Sequence, residues 1–249
     1  MKIKLLLFCA LFSFSAAFSQ VSDSAYVGFV HKNMIKTNIT AYAFKNINLS
    51  FERVISKRFS LSATYAVMPT GKIPYVETFL DGDDLGDVKN IEMSYNAFTF
   101  EPRFYLGKKG FGRGFYLAPY YRYSKVDFEN YNYDFESGGL EIPVVISGNM
   151  SGNSFGILIG NQWMLGEKKN WIIDFSIAGG HYGFLNGDLA AKSNIILTPQ
   201  MQQDLQNELD NLDVPLVKIK ATANANGATA KLDGPWAGLR FGLSLGYAF

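Results

Sequence analysis

Cys9 is the only cysteine in 249 residues, and there are only two histidines, His31 and His181. Cys9 lies inside an N-terminal apolar run preceded by Lys2 and Lys4 and followed by Ala17-Phe18-Ser19, a small-x-small site. That arrangement predicts a secretory signal peptide over residues 1–19, because the run is too short to span a bilayer. The mature chain then has no thiol, which excludes disulfides, thiolate metal centres and cysteine catalysis. No other apolar run is long enough for a membrane helix. An excess of charge is also lacking. Without Lys2 and Lys4 the 23 basic residues become 21, against 22 acidic ones, which argues against nucleic acid as a partner.

What is present is alternation. In the last twelve residues Leu239, Phe241, Leu243, Leu245, Tyr247 and Phe249 fall on one face. Gly238, Arg240, Gly242, Ser244, Gly246 and Ala248 fall on the other. A period of two is a strand. Its face of large apolar groups should meet hydrocarbon, and its face of small and polar groups a tight interior. That polarity is the reverse of a soluble core and suits a transmembrane barrel. The aromatic end, with Phe241, Leu243, Leu245, Tyr247 and Phe249 on one face, is expected to serve as the signal read by the barrel assembly machinery.

Similar alternation predicts strands near 35–43, 46–54, 59–67, 95–106, 115–128, 153–165 and 171–182. With the C-terminal strand they make an eight-stranded, all-β, antiparallel barrel over 35–249, preceded by a periplasmic segment at 20–34. Most strands reach the roughly 9–11 residues that cross a bilayer at a tilt. The connections at 56–58, 107–114 and 166–170 are short, and those at 69–94, 129–152 and 184–235 are long. Short periplasmic turns should alternate with long extracellular loops, and only the connection at Phe44-Lys45 departs from this. The short turns collect Lys57, Arg58, Lys108, Lys109, Arg113, Lys168 and Lys169, whereas the first two long loops are acidic.

A soluble up-and-down barrel would have the same strand count. Small inward residues (Gly156, Gly160, Gly238, Gly242, Gly246) and two expected aromatic girdles favour the membrane form. Tyr65, Tyr95, Tyr121, Tyr123 and Trp236 would form one girdle. Phe59, Phe104, Phe115, Trp163, Trp171, Tyr247 and Phe249 would form the other.

Four short motifs carry a family likeness. They are Lys-x-Asn at Lys36 and Asn38, Leu-x-Phe-Glu ending at Glu52, Glu-Pro-Arg-Phe-Tyr-Leu from Glu101, and Gly-x-Gln-Trp at Gly160, Gln162 and Trp163. Through them residues 34–249 resemble small outer-membrane barrels of the OmpA/OmpX type, and more narrowly a barrel family common in Bacteroidota. The resemblance implies a fold and a place in the outer membrane of a Gram-negative bacterium. It implies no activity.

The inward face carries Lys36, Glu52, Glu101, Arg103, Arg122, Asp174 and Arg240. A lumen this narrow is filled by side chains, so these charges should pair into a salt-bridge plug; the alternative is an ion or proton path. His181 takes outward parity while Asp174 and Ser176 face inward, which weakens a Ser/His/acid catalytic reading. The acidic run from Asp81 to Asp87 lacks the spacing of a calcium loop and reads as a solvated tip. Thr198-Pro199 starts a helix, expected over 198–212, whose stripe of Met201, Leu205, Leu209 and Leu212 must be covered by the barrel rim or by a partner protein. Ala221–Ala230 reads as mobile. The expected function is non-enzymatic, with no cofactor and no metal site. Its partners are membrane lipid, the assembly machinery during biogenesis, and an outer-membrane protein at the last loop. An accessory subunit of a secretion or assembly complex and a lipid-modifying enzyme are the alternatives.

Overall fold

A computed structural model describes residues 31–75, 91–212 and 216–249. The expected signal peptide and the acidic run at 81–87 lie outside the described residues. The described chain is almost all strand: β1 (Asn33–Asn38), β2 (Ile47–Ser56), β3 (Phe59–Lys72), β4 (Glu92–Tyr105), β5 (Gly114–Ser137), β6 (Leu140–Leu165), β7 (Trp171–Ser193), β8 (Lys218–Asn224) and β9 (Gly227–Ala248). One helix, α1 (Pro199–Asp210), lies between β7 and β8. Each wall strand pairs antiparallel with the next, and β1 pairs with β9, so eight strands close into a ring. The closing register runs from Met34↔Ala248 to Asn38↔Ser244.

The side chains sort by parity. Ile47, Leu49, Phe51, Phe98, Phe100, Phe104, Ile157, Phe175 and Phe241 are exposed on the outside. Lys36, Glu52, Ser60, Glu101, Arg103, Gln162 and Asp174 are buried inside. Small residues make room where rings fill the bore. A Cβ on Gly160 would lie 2.3 Å from the Tyr116 ring, and one on Gly156 would lie 2.6 Å from Tyr120 Cζ. The strand alternation set by the sequence is therefore completed by side-chain volume, since a packed interior tolerates little overlap.

Four features differ from the sequence reading. First, β1 starts at Asn33 and stops at Asn38, rather than spanning 35–43. The Asn38 side-chain oxygen accepts from the Thr40 and Ala41 amides and from the Thr40 hydroxyl. That local bonding competes with the ladder and turns the chain into a 3-10 helix, Thr40–Phe44, which ends at left-handed Lys45. Second, the long connections contain strands. β5 and β6 run on together to a two-residue turn at Gly138-Gly139, both with positive φ, as a primed hairpin turn requires. Third, the segment expected to be mobile is the β8–β9 hairpin, in register from Lys218↔Asp233 to Asn224↔Gly227. Fourth, a bulge in β7 reverses its parity. Ile159 pairs with Ala178 but Gly160 pairs with Ser176. Ile177 is the extra residue, so Ala178 turns outward and His181 inward.

The bottom of the ring is closed by the β4–β5 turn. Gly112 adopts φ +77°, and a Cβ there would stand 2.5 Å from Met34 Cε. The Gly112 carbonyl accepts from Gln162 Nε2 at 2.7 Å, which ties the turn to the wall.

At the top, α1 begins as expected, with the Thr198 hydroxyl accepting from the Met201 amide. Leu205 is buried with Phe135, Ile142, Val144, Leu197 and Ala228, and Met201 and Leu209 pack against this cluster. These three stripe residues thus pack against the chain's own hairpins. Leu212 falls beyond the end of the helix and is exposed, so it does not join them. The Tyr133 hydroxyl donates to the Glu208 carboxylate, and that bond, with some burial, pushes the phenol up to about 12.

Two outcomes follow for this cap. Leu205→Ala should cost it about 2–5 kcal/mol, read as lost amide-exchange protection in β8 while the ring stays protected. The Tyr133 phenol should titrate near 12 rather than at its ordinary 10.0, with Glu208→Gln lowering it, as followed by phenolate absorbance. A phenol raised in the folded state contributes fully below 10.0, and the contribution fades as pH rises through about 12.

Candidate functional site: the ionic lumen

Six strands contribute to one buried cluster. β1 supplies Lys36, β2 Glu52, β4 Glu101 and Arg103, β6 Gln162, β7 Asp174 and β9 Arg240. Each projects inward by strand parity, and the register brings them to neighbouring levels. Lys36 pairs with Ser50 of β2 and Gly246 of β9, and Gln162 pairs with Asp174.

The ammonium of Lys36 donates to Glu52 Oε2 at 2.6 Å, Asp174 Oδ2 at 2.6 Å and Gln162 Oε1 at 2.7 Å, so all three of its donors are used. Arg103 Nη1 meets Asp174 Oδ2 at 2.6 Å and Glu52 Oε2 at 3.2 Å, and its Nη2 meets Glu101 Oε2 at 2.9 Å. Arg240 Nη2 lies 2.6 Å from Glu101 Oε1. Neutral donors reach the second oxygens of Glu52 and Asp174. Tyr105 and Ser60 donate to Glu52 Oε1 at 2.7 and 2.5 Å, and Tyr116 donates to Asp174 Oδ1 at 2.8 Å. Three carboxylates thus face three cations, with Glu52 fully buried. A buried charge is tolerated only when paired and hydrogen-bonded; every ion here is paired, while Arg240 Nη1 is left without a hydrogen-bond partner among the described residues. The Arg103 and Arg240 guanidiniums also stack 4.5 Å over the rings of Tyr116 and Tyr120.

Arg122 stands apart from its expected place in the plug. Its guanidinium donates to the Tyr95 hydroxyl, and no carboxylate partner is recorded among the described residues. It sits on β5 above the network, where the inward neighbours are Tyr95, Tyr120 and Ser124 rather than acids. Tyr95 therefore points into the bore instead of joining the outer girdle. Trp236 is likewise turned inward, with its ring 3.1 Å from a Cβ placed on Gly152.

Sequence reasoning missed Tyr105, Tyr116 and Gln162 as members of the site, although their inward parity was visible. A tyrosine hydroxyl at the same level as an inward carboxylate was the signal available. It also missed His181, which the bulge turns inward so that Nδ1 meets the Tyr120 hydroxyl at 3.0 Å. Asp174 is committed to Lys36, Arg103 and Tyr116, so the described hydrogen bonds do not link it to Ser176 and His181 as a catalytic relay. Among the described residues no group of three or more His, Cys, Asp and Glu could hold a metal ion.

Above the network, beneath the 3-10 helix, lies a cavity of about 280 Å³. Its walls include Asn38, Asn48, Thr64, Thr99, Arg122 and Arg240. The expected C-terminal signal residues Phe241, Leu245, Tyr247 and Phe249 are exposed outside, and Leu243 is half-buried.

Glu52→Ala removes one of the two carboxylates that Lys36 and Arg103 share, so it should lower stability by about 3–5 kcal/mol in urea titration. Arg122→Ala removes only hydrogen bonds to a neutral hydroxyl and should cost about 1 kcal/mol. Equal losses in the two variants would contradict this division of the lumen.

No curated protein matches the sequence. One family does match, over residues 5–193, under the description "Protein of unknown function (DUF3575)". The chain belongs to that family.

Proposed function

We propose that this chain is an OmpA/OmpX-like outer-membrane barrel of the kind found in Bacteroidota, with a closed, ion-paired lumen and a structural or surface-interaction role rather than an enzymatic one. The observation that carries the reading is the inverted polarity of the ring. Large apolar and aromatic side chains are exposed around the outer wall, while the ions are inside. Soluble monomers rarely expose contiguous apolar patches beyond a few hundred Å². A closed ring leaves no unpaired edge to lipid except where a strand is short, and closure is one of the two ways a backbone satisfies itself in hydrocarbon.

Strand length supports the same reading. β5, β6, β7 and β9 have 24, 26, 23 and 22 residues, against about 9–11 for a crossing. The surplus forms the hairpin cap with α1, on the side opposite the lysine-rich turns. The cap holds its own apolar cluster, so it is a folded surface rather than loose loops. The lumen, in turn, is blocked twice, by the ionic network and by the Gly112 turn below it. A solute path is not part of this reading.

The full chain refolded into vesicles should show heat-modifiable migration. Added protease should reach the Gly138-Gly139 tip while the wall stays intact. Planar bilayers should show no large, selective conductance. Phe249→Ala should reduce insertion in cells, as measured by the level of heat-modifiable protein in the membrane fraction. Failure of the wild type to insert would overturn the membrane reading.

A further inference from the structure

The wall has one short strand. β1 has six residues, about 20 Å of strand at roughly 3.4 Å each, and less along the axis once tilted. Its partner β9 continues far beyond it. The last ladder pair is Asn38↔Ser244, after which the Ile39 amide reaches the Leu243 carbonyl at 2.9 Å and the Leu243 amide reaches the Thr40 hydroxyl at 3.3 Å. β8 takes up the same side of β9 only from Asp233. Between these points strand alternation turns the backbone groups of Ala237, Leu239 and Phe241 toward the vacant side. No described residue pairs with them. Among the described residues the ring therefore has a notch between the 3-10 helix and β9.

The notch borders the lumen cavity. Leu239 and Phe241 line that cavity together with Lys36, Arg103, Arg122 and Arg240. Only two acids, Glu101 and Asp174, share its lining with those four bases. Arg122 has no carboxylate among the described residues, and Arg240 Nη1 is buried without a hydrogen-bond partner there. The inside of the notch thus holds cationic donors left over from the network. Its outside is apolar, with Leu239 84% and Phe241 70% exposed.

We propose that the notch seats one acidic lipid from the surrounding membrane. The anionic headgroup enters the cavity and accepts from Arg122, Arg240 and the free amides of Leu239 and Phe241. Its acyl chains lie outside along Leu239 and Phe241. One molecule then satisfies the orphan donors and the unpaired strand segment together, which an apolar chain or a free anion does not. The proposal rests on the membrane reading above.

The test uses the full chain in mild detergent, with vesicle insertion measured in parallel. Native mass spectrometry is run with phosphatidylglycerol, phosphatidylcholine and inorganic phosphate as probes. The expected result is one phosphatidylglycerol per barrel, held about tenfold more tightly than phosphatidylcholine and not displaced by millimolar phosphate. Arg122→Gln should lose about tenfold in that binding, and Arg122→Lys should retain most of it. Thr64→Phe, which fills the cavity without touching a charge, should also exclude the lipid. Equal binding of the two lipids, displacement by phosphate alone, or unchanged binding by Arg122→Gln would overturn the proposal. So would a dimer cross-linked through Leu239→Cys, since a second copy would then occupy the free edge. A barrel that inserts but shows no lipid preference refutes the notch alone. A chain that fails to insert removes the membrane reading and the notch with it.

Discussion

The pairing of Lys36 and Arg103 with a shared pair of carboxylates, Glu52 and Asp174, is the constraint on which the rest of this fold depends. Four charges buried inside a bore are prohibitive singly and acceptable only as a closed set. Closing the set demands that β1, β2, β4 and β7 arrive at one level in one register. A one-residue slip of any of these strands would turn its ion to the outer wall and an apolar group into the bore. The network therefore specifies register more than it adds stability. Tyr105, Tyr116 and Ser60 extend that demand by donating to carboxylate lone pairs that would otherwise be orphaned, and Gln162 does so by accepting the third ammonium proton of Lys36.

Volume and charge cooperate in the bore. Tyr105 on β4 and Tyr116 on β5 are long enough to reach across to acids on β2 and β7; Gly160 on the adjoining strand leaves space for the Tyr116 ring, as Gly156 does for Tyr120. Glycine in a strand is normally a weakness. Here the missing side chain is replaced by a neighbour's ring. The same exchange occurs at the bottom, where Gly112 brings a turn carbonyl to Gln162.

Much of this was legible in the sequence because parity is a local property. The inward placement of Lys36, Glu52, Glu101, Arg103, Asp174 and Arg240 follows from a period of two and needs no tertiary information. The helix start at Thr198-Pro199 is equally local. What escaped depends on long-range or side-chain competition. The bulge at Ile177 has no composition signal, and one extra residue reversed the reading of His181. The stop at Asn38 arises from a side-chain oxygen that gathers the next turn's donors, which alternation cannot reveal. The β8–β9 hairpin at Ala221–Ala230 looked unstructured because its alanines and threonines carry little pattern. Its order comes from pairing with β9 and from packing beneath α1. Arg122 had the right parity but the wrong level, and level is set by register across strands.

The ring is sealed by its first and last strands, Met34 facing Ala248. Lys36 finds Asp174 only across 138 positions of chain. Loop-closure cost rises with such separations, and contacts of this kind slow folding. Until β9 has met β1, the bore is an open trough and its ions remain hydrated. Closure of β1 on β9 is thus the step that takes the network out of water. A chain truncated anywhere before its final strand would keep an open seam beside Lys36, so completeness of the polypeptide is itself a checkpoint for the finished fold.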